Sequence, residues 1–220
     1  MNSKDWDYYW SGERKRIWYD FLAWFYRKFI ISPSERFFLR KHFKKGSILL
    51  HAGCGSGETD KWINNFFKIV AVDFSKKALE KYKKNNPYVY KIILSDIEKM
   101  PFRESTFDGI YNLGVFEHYS KQNVLKILKE FHRVLKKNGK VVIFWPPEFG
   151  FSVFFFKALF LFLKTFVPYQ KVKLYPDEVN RLKSKKEAEF YMRKSGFKLI
   201  DYYFGVCDLF TYCVLVGQKA

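Results

Sequence analysis

Between Lys45 and Trp145 the chain alternates short apolar runs with longer stretches in which apolar residues recur every three or four positions. The short runs, 47–51, 68–73, 89–95, 107–113 and 140–145, read as strands. The longer stretches, 58–67, 76–85 and 120–137, have helical spacing. In the last of them Val124, Leu128, Phe131 and Leu135 form one stripe, while Lys126, Lys129, Lys136 and Lys137 fall mostly elsewhere, as in a packed helix with a solvated basic face. Ser75 and Ser120 stand where N-caps belong, and Gly139 where a helix-end glycine does. Strands alternating with helices imply βαβ units and a mostly parallel sheet with helices on both faces, an α/β doubly wound architecture. Right-handed crossovers then bring every parallel strand's C-terminus to one edge, where ligands bind.

The flanks depart from this rhythm. Residues 6–43 read as helical, with Trp6, Trp10, Ile17, Phe21, Trp24, Phe25 and Phe29 near helical spacing. Ser32-Pro33 breaks the pattern, and Ser34 caps a second helix running to Phe43. We assign 1–44 as an N-terminal helical cover, placed to act also as a lid, and 45–220 as the main domain. Within it, 147–183 is an insertion: Phe149 to Val167 is dominated by Phe and Leu, with Lys157 and Lys164 on one narrow polar stripe, and Pro168 closes it. Its apolar length approaches a membrane span, but two lysines and a mid-domain place argue against crossing. Ser184-Lys185-Lys186-Glu187 is a capping box opening a helix to Lys194, Gly196 ends that helix, and 197–204 and 211–217 read as two final strands.

Composition narrows the class. The 220 residues suit one decorated α/β domain, and 48% hydrophobic content excludes intrinsic disorder. A net charge of +18 points toward nucleic acid or an anionic membrane, although Lys, Phe, Tyr, Ile and Asn are plentiful together, as a compositional bias produces. Cys54, Cys207 and Cys213 have no Cys-x-x-Cys spacing, which argues for a reducing compartment and against a disulfide framework or metal site. No basic region leads into an apolar segment at the N-terminus, so a cytoplasmic location is expected, with peripheral contact at the inner membrane face a further expectation.

The candidate chemistry gathers at the strand ends. His51-Ala52-Gly53-Cys54-Gly55-Ser56-Gly57-Glu58 links a strand to a helix-like stretch, and glycines on alternate positions let a ligand approach the backbone. Asp73 ends the next strand, where a carboxylate can accept from two vicinal ribose hydroxyls. Asp96 ends the third and can accept from an exocyclic amine such as adenine's. The dinucleotide motif fails on spacing, because Glu58 occupies its third glycine position. A carboxylate there opposes a pyrophosphate but tolerates a phosphate-free cofactor with a cationic group, a description that fits S-adenosylmethionine.

Residues 47–145 resemble the class I S-adenosylmethionine-dependent methyltransferases, and most of all the group containing quinone-biosynthesis and small-molecule enzymes. The matching pieces are His51 to Gly57, Val70-Ala-Val-Asp73, Asp96 to Phe102, Phe107-Asp-Gly-Ile-Tyr111, Val115-Phe-Glu-His118 and Val134 to Lys140. The resemblance implies a Rossmann-like seven-stranded sheet closed by an antiparallel C-terminal hairpin. It implies Gly53, Gly55 and Gly57, with Cys54, along the methionine part of the cofactor, and Asp73 with Phe74 at the ribose. Asp96 and Ile97 would lie around the adenine, with Asn112 and Leu113 beside the sulfonium. Such proteins usually carry an acidic residue against the cofactor's amino group where this chain has His51, which can accept one hydrogen bond or be a satisfied buried histidine. Trp145-Pro146-Pro147-Glu148 is not the Pro-Pro motif of nucleobase amino-methyltransferases, because here the prolines end the fifth strand and not the fourth.

The implied reaction is in-line methyl displacement, to which the protein contributes mainly positioning, worth roughly 7–11 kcal/mol. His118 and Glu117 are the candidates for a base where the acceptor must lose a proton, His118 the better because an imidazole ordinarily titrates near neutrality. The expected acceptor is a small or lipid-like molecule, then RNA, then protein. The Phe-rich stretch is either a substrate cap facing an anionic membrane or a core or dimer helix, leaving monomer and homodimer open. A catalytically silent cofactor-binding protein is the alternative class; aminopropyl transfer, which needs an acidic polyamine site, matches this basic chain poorly.

Overall fold

The computed structural model describes residues 3–11, 24–149 and 178–220, so the calls on Ile17, Phe21 and the 150–177 part of the insertion lie outside the described residues. Seven strands, β1 (Ile48–Ala52), β2 (Lys68–Asp73), β3 (Lys91–Leu94), β4 (Phe107–Leu113), β5 (Leu135–Trp145), β6 (Phe197–Tyr203) and β7 (Cys213–Lys219), form one sheet in the order β3-β2-β1-β4-β5-β7-β6. The five strands from β3 to β5 are parallel, and β7 is antiparallel to both β5 and β6. This is the Rossmann-like sheet with the expected C-terminal hairpin.

Alternation along the strands divides the core between the two faces. Leu50, Ile110, Val141, Ile143 and Leu215 pack on one side with α4 (Lys121–Val134) and α5 (Lys185–Lys194). Leu49, Tyr111, Val142, Phe144 and Val214 pack on the other under α2 (Ser32–His42), whose Phe38 and Leu39 are buried. The caps hold: Ser75 Oγ accepts from Ala78 N (3.1 Å) to start α3 (Lys76–Asn85), and Ser120 Oγ accepts from Asn123 N (3.3 Å) to start α4. Each such cap stabilises its helix by about 1 kcal/mol. At α5 Ser184 Oγ accepts from Glu187 N, while Glu187 reaches back to Lys183 N and not to the cap residue's own N–H.

Three expectations are corrected. Residues 58–67 are not a helix: only Asp60–Trp62 makes a short 3-10 turn. Ile63 and Phe67 are both buried and create the helical period, but Asn64 and Asn65 are weak helix formers, and the backbone bonds here close separate turns from Asp60 and Ile63. Ser32-Pro33 does not break the helix, and Ser34 is a buried interior residue and not a cap. A π-helical turn, Arg27–Ile31, runs into α2, with Ser32 N bonded to Arg27 O. The wider turn accommodates a ring that has no N–H to give and would crowd an α-helical carbonyl. Gly139 does not end α4, which stops at Val134 with Leu135 N bonded to Phe131 O. The left-handed residue is Asn138, at φ 62°, in the irregular stretch of β5 between Leu135 and Lys140.

At the N-terminus, α1 (Ser3–Ser11) lies against α3: Asp7 Oδ1 accepts from Ser75 Oγ (2.6 Å) and Lys77 N (3.3 Å). On either side of 150–177 the chain is pinned together, since Glu148 N donates to Leu182 O (2.8 Å) and Leu182 N to Pro146 O (3.0 Å). No helix among the described residues is long and apolar enough to cross a membrane.

Candidate functional site

A cavity opens at the C-terminal ends of β1, β2 and β4, floored by the turn after β1. That turn is folded back on β2, because Gly53 N and Cys54 N both donate to Val72 O (2.8 and 3.0 Å). The buried Asp73 carboxylate ties it to α3, with Oδ2 accepting from Gly55 N and Oδ1 from Ser75 N, each at 2.9 Å. Burial pushes this carboxyl above the usual range in spite of the two N–H donors. Gly55 has φ +52°, and a Cβ there would stand 2.9 Å from the Trp10 ring. Gly57 has φ +62°, and its missing Cβ would meet Tyr82 at 2.3 Å and Asn86 Nδ2 at 2.6 Å, so this glycine is demanded by packing below the turn and not by the cavity.

Behind the turn lies a buried polar cluster. His51 Nδ1 is 2.8 Å from Asp60 Oδ2, and the Tyr82 hydroxyl donates to the same oxygen. The Tyr111 ring lies 4.2 Å from the His51 ring, tilted 31°. Glu35 is fully buried beside them, and its carboxyl is raised well above the usual range, first by burial and then by the charge of Asp60. Burial likewise raises the phenols of Tyr82 and Tyr111, which stay neutral.

The opposite wall follows β4. Glu117 and His118 sit in a short 3-10 turn, Phe116–His118, with Glu117 Oε1 3.9 Å from His118 Nε2. Glu117 is buried, its Oε2 has no partner among the described residues, and burial raises its carboxyl to about 8. Its carbonyl accepts from Val179 N (2.6 Å) and Asn180 N (3.0 Å), which brings Glu178 into the lining. Glu178 is paired with Arg181, and Glu58 with Arg27 (3.1 Å), so Asp73 and Glu117 are the lining carboxyls without a lysine or arginine ion-pair partner among the described residues. From above, the Trp6 ring meets His118 edge-on at 4.9 Å.

The sequence-predicted residues largely converge. His51, Gly53, Cys54, Gly55, Gly57, Asp73, Phe74, Ile97 and Leu113 line this one cavity, as do Glu117 and His118. Asp96 and Asn112 do not. Asp96 is exposed and closes its own turn by accepting from Glu98 N (2.8 Å). Asn112 is buried and donates to Ala52 O (2.7 Å), fastening β4 to β1. Sequence reasoning missed Trp6, Trp10, Arg27, Glu178 and Tyr212 as lining residues. The spacing of Trp6 and Trp10 marks a buried helix face without saying what lies beneath it. Asp60, the partner of His51, carries no local signal.

The chain resembles known proteins over the same region. The family described as a methyltransferase domain matches residues 50–143. The ubiquinone/menaquinone biosynthesis C-methyltransferase of Geotalea uraniireducens is 30% identical over 226 residues, covering 91% of each chain. The probable tRNA methyltransferase 9B of Homo sapiens is 32% identical over 118 residues, 53% of this chain but 25% of that protein, so the chain spans a quarter of this relative's length. Among solved structures, a SAM-dependent methyltransferase from Methanosarcina mazei superposes with a TM-score of 0.64 at 14% identity, covering 83% of this chain and 96% of that one. That likeness concerns the fold.

Proposed function

The chain belongs to the class I S-adenosylmethionine-dependent methyltransferases, and from that premise we propose that it methylates a small-molecule or lipid-like acceptor in the cavity above the glycine turn. The residues fit the cofactor. Asp73 uses one lone pair on each oxygen for Gly55 N and Ser75 N, which leaves further lone pairs for a pair of ribose hydroxyls. Ile97 and Phe74 offer apolar surface to an adenine, and Leu113 and Val115 line the wall toward the acceptor side. S-adenosylmethionine, when bound, supplies a methyl group on a sulfonium that is itself a good leaving group.

The chain's own part is binding, orientation and proton handling. Trp6 and Trp10 cover the cavity and exclude water, which strengthens every electrostatic contact inside. The Glu117 carboxyl is the group suited to take an acceptor's proton, and we rank it above His118. Its raised value of about 8 lies near working pH, and its Oε2 is buried without a partner at the cavity wall. His118, under the Trp6 ring, is better suited to holding the acceptor in place. The observation that carries this reading is the lining: in a chain of net charge +18 it holds four carboxyl side chains against one arginine, two of them paired with arginines. Its one arginine is taken up by Glu58 and, among the described residues, the lining holds no lysine, so the wall offers no spare cation to an acceptor that brings phosphates with it.

RNA is the second reading, favoured by the basic exterior and by the tRNA methyltransferase relative. Transfer of labelled methyl from S-adenosylmethionine into fractionated cell extract decides between them. Label in the organic-soluble, low-mass fraction supports the first reading, and label that survives only in RNase-sensitive material refutes it. Native mass spectrometry of the freshly purified protein tests the cofactor by itself.

A further inference from the structure

The methyl-transfer reading makes no use of the buried polar cluster behind the glycine turn. Asp60 is fully buried, and its Oδ2 receives the Tyr82 hydroxyl together with His51 Nδ1. A carboxylate only accepts, so the proton between Asp60 and His51 belongs to Nδ1. In a neutral imidazole that leaves a lone pair on Nε2, and Nδ1 carries the ring's one hydrogen bond among the described residues. His51 is among the residues that line the cavity. The Tyr111 ring lies tilted against the imidazole at 4.2 Å. Glu35, held in its neutral form beside Asp60, adds no second negative charge.

We propose that Asp60 is a positioning residue for the cofactor: through His51 it places a negative charge behind an accepting nitrogen, and the ammonium group of the cofactor's amino-acid end is held there. This rests on the S-adenosylmethionine reading above. His51 Nε2 accepts from the ammonium, while Asp60 fixes the tautomer that makes Nε2 an acceptor and supplies the countercharge. A histidine and an aspartate nine positions apart thereby do together what a carboxylate at position 51 would do alone.

The test is calorimetric, using S-adenosylhomocysteine and its desamino analogue on the purified full chain. Wild-type protein is expected to bind S-adenosylhomocysteine the more tightly. Asp60→Asn is expected to weaken that ligand by about 10- to 100-fold, the range for a hydrogen bond to a charged group, while the desamino analogue changes less than about twofold. A purely structural role for Asp60 weakens both ligands equally, and that result overturns the inference. So does a wild type that binds both equally well. The double variant His51→Asp/Asp60→Asn, which moves the carboxylate to the cavity wall, is expected to recover selectivity for the amino-bearing ligand to within a few-fold of wild type, and failure to do so in a folded protein counts against the inference. If wild type binds neither ligand, the cofactor reading fails with it, a different result from binding without discrimination.

Discussion

Replacing Glu117 by Gln removes a single titration from a buried wall, and its effect follows from the environment of that carboxyl. Burial is the main cause of the rise, the charge of Glu178 adds to it and Arg181 opposes it, together taking the group from 4.5 to about 8. Between those values the folded chain holds a proton that the unfolded chain has released, so folding stability falls as pH rises through this window and levels off above it. At 1.36 kcal/mol per pH unit the full interval corresponds to roughly 5 kcal/mol. Water entry and side-chain relaxation reduce such penalties, so we expect ~2–4 kcal/mol to be measured. Glutamine keeps the shape without the charge. Urea unfolding of both proteins should therefore give similar stability near pH 4 and a variant about 2–4 kcal/mol more stable near pH 9.5. In thermal melts the same difference appears as roughly 5–15 °C at the alkaline end. Because other titrating groups are common to both proteins, the difference between them isolates Glu117. A difference that stays constant across the range refutes the reasoning, since it means that the carboxyl ionises as readily inside the fold as outside it.

Other substitutions probe the turn and its neighbours. Gly55→Val forces a β-branched residue to φ +52° and drives its Cβ toward Trp10; S-adenosylhomocysteine binding, followed by calorimetry, should fall below detection, and unchanged affinity would move the ligand elsewhere. Asp73→Ala should weaken the same ligand by about 10- to 100-fold, with the two N–H donors of Gly55 and Ser75 left unanswered. Its circular dichroism spectrum should stay that of wild type. Gly57→Ala should cost about 2–4 kcal/mol in urea unfolding, because its Cβ collides with Tyr82 and Asn86 at a left-handed backbone position. If stability is unaffected, the turn repacks more freely than its contacts imply.

Most of the sheet was legible because its central strands are buried on both faces and read as unbroken apolar runs, as 69–72 and 141–145 do. The glycine turn and Asp73 were legible because type and spacing suffice there. The stretch 58–67 misled because burying Ile63 and Phe67 needs only the right period, which a series of turns supplies as well as a helix does. Asp96 read as a ligand group since an acid ends the strand run, and the structure places it on an exposed turn where its Oδ1 accepts from Glu98 N. Asp60 was invisible for a different reason. Its meaning comes from His51 on β1 and Tyr82 on α3, partners brought to it only by the folded sheet.

The pinning of Glu148 and Leu182 has a consequence for how this scaffold can change. Both ends of the connection between β5 and α5 are clasped at one point, and Glu178 carries the connection's C-terminal side to the cavity wall. The clasp separates what lies between its ends from the register of the sheet. For a loop whose ends are already joined, doubling its length costs only about 0.6 kcal/mol. The clasp thus fixes where the chain leaves β5 and where it re-enters ahead of α5, so the sheet's register does not depend on the length of chain between those two points.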